Sequence, residues 1–401
     1  MKRAARIVRT GFGQPSIFNT DAVVQELLRQ GKSLEDAREG GCSGCVEAGA
    51  FGREAYILSG YFNLPKIVDL ALHDGLDTRT GRQLGPHTGD PRAFAAFDDL
   101  YAAFEAQLRH FLDIKIRGNN LIERLYARHM PVPFLSLLID DCIARGRDYH
   151  DGGARYNTTY IQGGGLGTTV DALASLRHNV YTTRRCTMDA MLAALDADFA
   201  GHEALHRALL DDTPKYGNDD DRADDLVRRV FESYWSLIDG RPNVRGGAHR
   251  VDMLPTTCHV YFGRVTGALP DGKRAGETVS EGISPVQGAD RRGPTAALNS
   301  AAKFDHVKTG GTLLNQKLTP RVLADDDGLM NLVHLVRGYF SRDAHHIQFN
   351  VVTRETLLDA QRHPEKHRDL IVRVAGYSDY FANLTPELQD EIIRRTEQQD
   401  F

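Results

Sequence analysis

The amino-acid sequence predicts an α/β protein in which helix dominates and strands are dispersed. Stretches of helical apolar spacing recur along the chain, and short β-branched or aromatic runs lie between them. No self-similarity at solenoid periods points to a stacked array.

Taken from the N-terminus, Asn19-Thr20-Asp21 caps a helix with Val23, Val24, Leu27 and Leu28 at helical spacing, and Gly31 closes it. The glycine-rich stretch 40–52 follows neither period and reads as a loop that lets the backbone come close to something. After the Asp90-Pro91 start signal, helical spacing runs through Phe94, Phe97, Leu100, Phe104, Leu108 and Leu112 to Lys115. Further helices are expected around 172–176, 190–195, 224–237 and 357–362, with strands at 258–262 and 347–352. The segment 267–319 is rich in Gly, Pro, Thr, Ser and Asn and reads as a long ordered loop with a function.

Composition narrows the function. A chain of 401 residues, 41% apolar and 26% charged, is long enough to bury a large core. Its formal charge of -5 and its brief one-signed runs, such as Asp219-Asp220-Asp221, leave no basic footprint for nucleic acid. Neither a signal-peptide core nor a membrane-length apolar window occurs, so a cytoplasmic location is expected, with no membrane partner. Five scattered cysteines do not make a disulfide framework, and Cys142, Cys186 and Cys258 read as buried bystanders.

Two short stretches carry chemistry. Cys42-Ser43-Gly44-Cys45 is a C-x-x-C that reads as an inert buried pair, as half of a metal or dithiol site, or as a catalytic thiol. No second C-x-x-C and no compact Cys/His cluster completes a metal site. Glu47 reads either as a solvated loop carboxylate or as the partner of Cys45 on one turn, a thiol to abstract an atom and a carboxylate to move a proton. Gly376 interrupts the strand-like run 371–381, as a bulge or tight bend where a backbone comes close. His345-His346 lacks a ligand partner and reads as packed or exposed histidines; the Gly163–Gly167 cluster misses the dinucleotide fingerprint and reads as a turn.

Together these stretches resemble the two signature loops of the glycyl radical enzymes, the pyruvate formate-lyase superfamily. RVAGYSD places Gly376 at the radical position, and SGCVE places Cys45 at the hydrogen-abstracting position with Glu47 beside it. The order and separation of the loops match too, and the likeness runs from about Gly11 to the C-terminus. The chemistry explains the residue types. A Cα radical is stabilised when nitrogen donates and carbonyl withdraws in one plane, which a residue without Cβ reaches most easily. A thiol of similar bond strength exchanges hydrogen with it, so Cys45 is expected as a buried neutral thiol rather than a thiolate.

The resemblance implies the C-terminal half of a glycyl radical enzyme α/β barrel, helices surrounding strands, with the Cys and Gly loops at the centre. It implies a catalytic part at 1–270 and a glycyl radical domain at 271–401. Gly44 and Val46 flank Cys45 where formate acetyltransferases have two adjacent cysteines, which disfavours acyl transfer and favours an eliminating or decarboxylating lyase. FGQPSIFNT, the stretch 43–67, TPKYGNDDD, RVDMLPTTCHVYFG and HHIQFNVV look most like the branch that dehydrates trans-4-hydroxy-L-proline to a pyrroline carboxylate. In that branch Tyr61 and Thr256 would line the substrate pocket. Asp379 stands where the wider pattern has a small residue, which this branch tolerates.

No cofactor or metal is expected on the chain. The resemblance implies a radical on Gly376 installed by an activating enzyme that uses S-adenosylmethionine and an iron-sulfur cluster, a small-molecule substrate and anaerobic cytoplasm. Family members are much longer, so an N-terminal half-barrel is expected to precede Met1, with a homodimer in the full-length form. Other readings are a diol dehydratase, an arylacetate decarboxylase, a formate acetyltransferase-type enzyme, a radical-bearing repair subunit without catalysis, or an inactive fragment.

Overall fold

The computed structural model describes residues 1–401. Its centre is a curved run of parallel strands. Glu54–Asn63 pairs with Tyr156–Gly164, which pairs with Ala248–Asp252. The bridge between Met253 and Thr312 leads on to Asn315–Leu318, which pairs with His346–Val351, and Ile17–Phe18 joins the far side antiparallel. Parallel neighbours need long crossovers. Helices supply them, among them Leu64–Leu72, Phe97–His129, Leu166–Leu176, Asp221–Ser236, Gly293–Ala301 and Asp326–Phe340.

Alternation along these strands sorts the side chains into two faces. Ile161, Val251, Ile347, Phe349 and Val351 point outward into the main apolar core, against helix residues such as Val170, Val230 and Leu332. The residues between them are polar: Glu54, Thr158, Gln162, Asp252, Asn315, Lys317, Gln348 and Asn350 are all buried on the inner face. Buried parallel strands usually read as continuous apolar runs. Here the inner face is built to hold something polar.

Two hairpins reach into that interior. Gly41–Ser43 pairs with Glu47–Gly49, and Ile371–Arg373 pairs with Ser378–Tyr380. The second hairpin has its own small apolar core, in which Val372, Val374 and Phe381 pack on Leu357 of helix Arg354–Arg362 and on Leu388 and Ile392 of helix Pro386–Arg394.

Some local expectations are corrected. The stretch 40–52 is a hairpin rather than a structureless loop. The run 258–262 belongs to helix Cys258–Arg264, not a strand, because His259 and Phe262 are buried at helical spacing. The helix expected at 90–115 starts at Phe97 and continues to His129; beyond Ile116 its sheet-facing stripe turns polar, with Asn119 and Glu123 buried. Of the bystander cysteines only Cys142 is buried, while Cys186 and Cys258 are half-buried. The segment 267–319 contains helix Gly293–Ala301 and an inner strand.

Glu123 ties this helix to the sheet. Its carboxylate lies 3.2 Å from Nε of the buried Arg245, whose guanidinium also donates to the carbonyl oxygens of Ala55 and Thr158. Glu123→Ala would leave that guanidinium buried without a counter-charge. A loss of about 3–5 kcal/mol is expected, measured as a shift of the urea unfolding midpoint.

Candidate active site

The Cys hairpin turns at Gly44, whose φ of +51° favours glycine. That turn folds Glu47 back over the loop, so its Oε2 accepts from the backbone N–H groups of Cys45 (2.9 Å) and Val46 (3.0 Å). Glu47 is 5% exposed, and no protein donor engages its Oε1. One carboxylate oxygen therefore shapes the loop while the other is available for chemistry.

The far side of the loop is pinned as well. The Val46 carbonyl accepts from His345 Nε2 at 2.8 Å, and His345 Nδ1 lies 2.7 Å from Glu26 Oε1. Burial works against it, but the charge of Glu26 and the hydrogen bonds with Cys42 and Glu26 hold the imidazole well above its usual pKa. The Ala48 N–H donates to the Gly310 carbonyl at 2.7 Å. His345 is thus a packed histidine, one of the two readings the sequence left open, and it positions the Cys loop.

The Gly hairpin is held by the polar inner face. Asn350 exchanges two hydrogen bonds with the Arg373 backbone, donating to its carbonyl and accepting from its N–H, both at 2.7 Å. Asn315 donates to the Val374 carbonyl at 3.2 Å, and Arg373 Nε donates to Gln348 Oε1 at 2.6 Å. Arg373 also donates to Ser16. These bonds deliver the hairpin tip, Val374-Ala375-Gly376, to the Cys loop.

At the tip Gly376 has φ +85° and lies against Cys45. A Cβ built on Gly376 would overlap Cβ of Cys45 and sit 2.6 Å from its Sγ. Both the backbone conformation and the missing side chain are needed for this approach. Burial, followed by the charge of Glu47, pushes the Cys45 thiol up to about 11, against a smaller opposing effect of Arg373. Cys45 is half-buried and neutral at physiological pH.

Tyr61 and Thr256 come together on the same side. The Tyr61 hydroxyl lies 2.8 Å from Thr256 Oγ1; burial raises its pKa and the Thr256 hydrogen bond opposes that. Thr256 has φ +50°, a rare conformation for a β-branched residue and one that collects at functional sites. Behind Glu47, Tyr56 donates to Asp252 Oδ2 at 2.7 Å, and burial raises the Asp252 carboxyl well above its usual range, reinforced by the charge of Glu47.

All five residues singled out from the sequence therefore surround one region. The sequence reading missed Arg373, Asn315, Gln348, Asn350, His345 and Asp252 as parts of it. The polar/apolar alternation of His346–Val351 was the available signal for two of them. No cluster of His, Cys, Asp or Glu capable of holding a metal occurs, and no helix is long and apolar enough to cross a membrane.

Parallel strands wrapped by helices, with a cysteine hairpin and a glycine hairpin meeting inside, define a recognisable class. Residues 1–263 match the family described as pyruvate formate lyase-like, and residues 279–382 match the glycine radical segment. The chain belongs to the pyruvate formate lyase-like family and carries its glycine radical segment. Among its relatives, trans-4-hydroxy-L-proline dehydratase of Clostridioides difficile is 55% identical over 99% of this chain and 50% of the relative. The crystal structure of the Clostridioides difficile hydroxyproline dehydratase with trans-4-hydroxy-L-proline bound superposes with a TM-score of 0.98, covering 99% of this chain and 50% of that one. The glycerol-bound B12-independent glycerol dehydratase from Clostridium butyricum, 39% identical, gives 0.96 over 99% of this chain and 50% of its own. The chain spans about half the length of the relatives it matches.

The raised thiol pKa has a direct readout. Only the thiolate alkylates, so the iodoacetamide rate at Cys45 should be slow at pH 8 and keep rising about tenfold per pH unit to pH 10. A cysteine at the ordinary value of 9.0 levels off near there. Peptide mass spectrometry after timed alkylation distinguishes Cys45 from the other cysteines.

Proposed function

We propose that this chain carries the radical-bearing residues of a glycyl radical dehydratase acting on trans-4-hydroxy-L-proline. Gly376 is the radical-storage residue, Cys45 the hydrogen abstractor, Glu47 the proton-transfer group, and Tyr61 and Thr256 the substrate-binding pair. The observation that carries this reading is the contact between Gly376 and Cys45, which leaves no room for a side chain between them. The similarity to hydroxyproline dehydratase over nearly the whole chain supports the choice of substrate.

The reaction follows from that arrangement. The Cys45 hydrogen passes to the Gly376 radical, and the resulting thiyl takes a hydrogen atom from the ring carbon next to nitrogen. The neighbouring C–O bond then breaks. One proton leaves the ring nitrogen and one reaches the departing hydroxyl, which leaves as water; Glu47 Oε1 is the group free to move it. Cys45 returns its hydrogen atom to the product radical, giving the pyrroline carboxylate. Substrate equals product plus water, so no external oxidant or reductant is consumed. A neutral thiol suits the step, because a thiolate has no S–H hydrogen to give.

The radical on Gly376 is installed by an activating enzyme using S-adenosylmethionine and an iron-sulfur cluster, as the glycine radical segment implies. The sensitivity of such a radical to oxygen supports an anaerobic setting, with the cytoplasm as the proposed location. A further polypeptide, corresponding to the part of the relatives outside the match, completes the barrel. Two features support this: strand Glu54–Asn63 stands at the end of its sheet with one edge unpaired, and Leu121, Ile122, Leu125, Met130, Phe134, Leu137 and Leu138 are exposed in one stretch of chain.

In the activated protein Cys45→Ser should still form the radical yet give no turnover, because an O–H bond is too strong to relay the hydrogen. Glu47→Gln should form it and slow dehydration by roughly 10²–10⁴-fold. Gly376→Ala should abolish the radical signal. Electron paramagnetic resonance and product mass measured on the same samples separate the three roles, and turnover by Cys45→Ser would overturn them.

By itself the 401-residue chain is expected to self-associate and to be inactive. Co-expression with the remaining half of the Clostridioides difficile relative should restore a discrete particle and activity. A monodisperse monomer that dehydrates hydroxyproline alone would contradict the need for a completing half.

A further inference from the structure

Strand Glu54–Asn63 breaks its pairing with Tyr156–Gly164 at one place. Leu58 pairs with Tyr160 and Tyr61 with Gln162, so Ser59 and Gly60 together oppose Ile161 alone. This is a one-residue β-bulge. Because side chains alternate with a period of two, an extra residue reverses the face of everything beyond it. Without the bulge Gly60 would oppose Gln162, and Tyr61 would point outward toward the helices. With it, Tyr61 joins Glu54, Tyr56 and Leu58 on the inner face and reaches Thr256.

The bulge is gripped from outside the sheet by the long helix. Lys115 Nζ donates to the Ser59 carbonyl, and the buried Asn119, one turn further on, donates to Ser59 Oγ at 2.8 Å. Ser59 Oγ in turn donates to the Tyr160 carbonyl on the neighbouring strand at 2.7 Å. Lys115 has no carboxylate partner, and burial alone lowers its pKa. Gly60 has φ +99°, and a Cβ there would sit 3.0 Å from Lys115 Nζ. A cation partly desolvated to hold one carbonyl is a costly clamp unless the carbonyl's position matters.

The inner face beside the bulge is open to a polar ligand. Gln162, directly opposite Tyr61, is 1% exposed, and neither its Nε2 nor its Oε1 has a partner. Tyr61 and Thr256 share one hydrogen bond between two hydroxyls, which leaves one hydroxyl hydrogen to donate to a ligand acceptor.

We propose that the Ser59–Gly60 bulge, clamped by Lys115 and Asn119, sets the substrate specificity of this site by turning Tyr61 inward and fixing it against Thr256 and Gln162. Lys115 and Asn119 are positioning residues: they act on the substrate only through Tyr61. The ligand class is a small polar molecule with an acceptor for the Tyr61–Thr256 hydroxyl pair and polar groups for the Gln162 amide, which a hydroxylated amino acid meets. The inference rests on the proposed role of Tyr61.

The test uses the activated, completed enzyme and trans-4-hydroxy-L-proline. Lys115→Met and Asn119→Ala should raise KM about tenfold or more, with radical yield unchanged and kcat altered far less; Lys115→Arg, which restores a donor, should recover much of the loss. Ser59→Ala is the milder variant if either fails to fold, and thermal unfolding of each reports that. Tyr61→Phe is the reference. Unchanged KM in the clamp variants alongside a raised KM in Tyr61→Phe overturns the bulge as the specificity device and leaves the pocket standing. Unchanged KM in Tyr61→Phe itself overturns both.

Discussion

One contact between a backbone and a side chain governs the rest of the site: the tip of one hairpin, at Gly376, lies on Cys45 of another. No other residue type fits there, because a Cβ would overlap the cysteine and the positive φ disfavours one. The two hairpins lie more than three hundred residues apart in sequence and share no strand. Everything between them serves to make that contact reproducible.

It does so by reversing the usual economy of a parallel sheet. The outer face is apolar and packs on helices, while the inner face carries Asn315 and Asn350, whose amides hold the Gly hairpin by its backbone, and Gln348, which accepts from the Arg373 side chain. The Cys hairpin is fixed by different means, with the Glu47 carboxylate on its own N–H groups and His345 on its carbonyl. Buried polar groups are costly unless satisfied. Here Asn315, Gln348 and Asn350 are satisfied in part by the Gly hairpin, so that part of the sheet and that hairpin specify one another. Gln162 and one oxygen of Asp252 are left unpartnered on the same face, next to Tyr61 and behind Glu47.

Much of this was legible in the sequence, and the illegible part has a physical cause. Several helices came through because packing on the sheet demands regular apolar spacing, as along Leu100, Phe104, Leu108 and Leu112, while others, such as Leu64–Leu72 and Asp326–Phe340, did not. The Cys and Gly loops were legible as a pair because Cys45, Glu47 and Gly376 are chemically specific residue types in short fixed patterns, and the structure brings the two loops into contact. The strands Glu54–Asn63 and Tyr156–Gly164 did not, because Glu54, Thr158 and Gln162 face a polar interior and Gly60 interrupts the period at the bulge. The run 258–262 has strand-like composition yet is helical, an instance of tertiary packing overriding propensity. Among the hairpin clamps only Gln348 and Asn350 left a local signal, in the alternation of His346–Val351, whereas Asn315 bonds a distant backbone and left none.

The proposed relay makes the Gly376–Cys45 contact chemical as well as steric, and solvent deuterium reads it most directly. A glycyl radical retains one α-hydrogen, which splits its electron paramagnetic resonance signal into a doublet. A thiol hydrogen exchanges with water, whereas a Cα hydrogen does so only by passing through an abstracting neighbour. In deuterium oxide the doublet of the activated protein should therefore collapse, and in Cys45→Ala it should persist. A doublet that survives in both would show that Cys45 and Gly376 do not exchange hydrogen, and one that collapses in both would show that Cys45 is not the carrier.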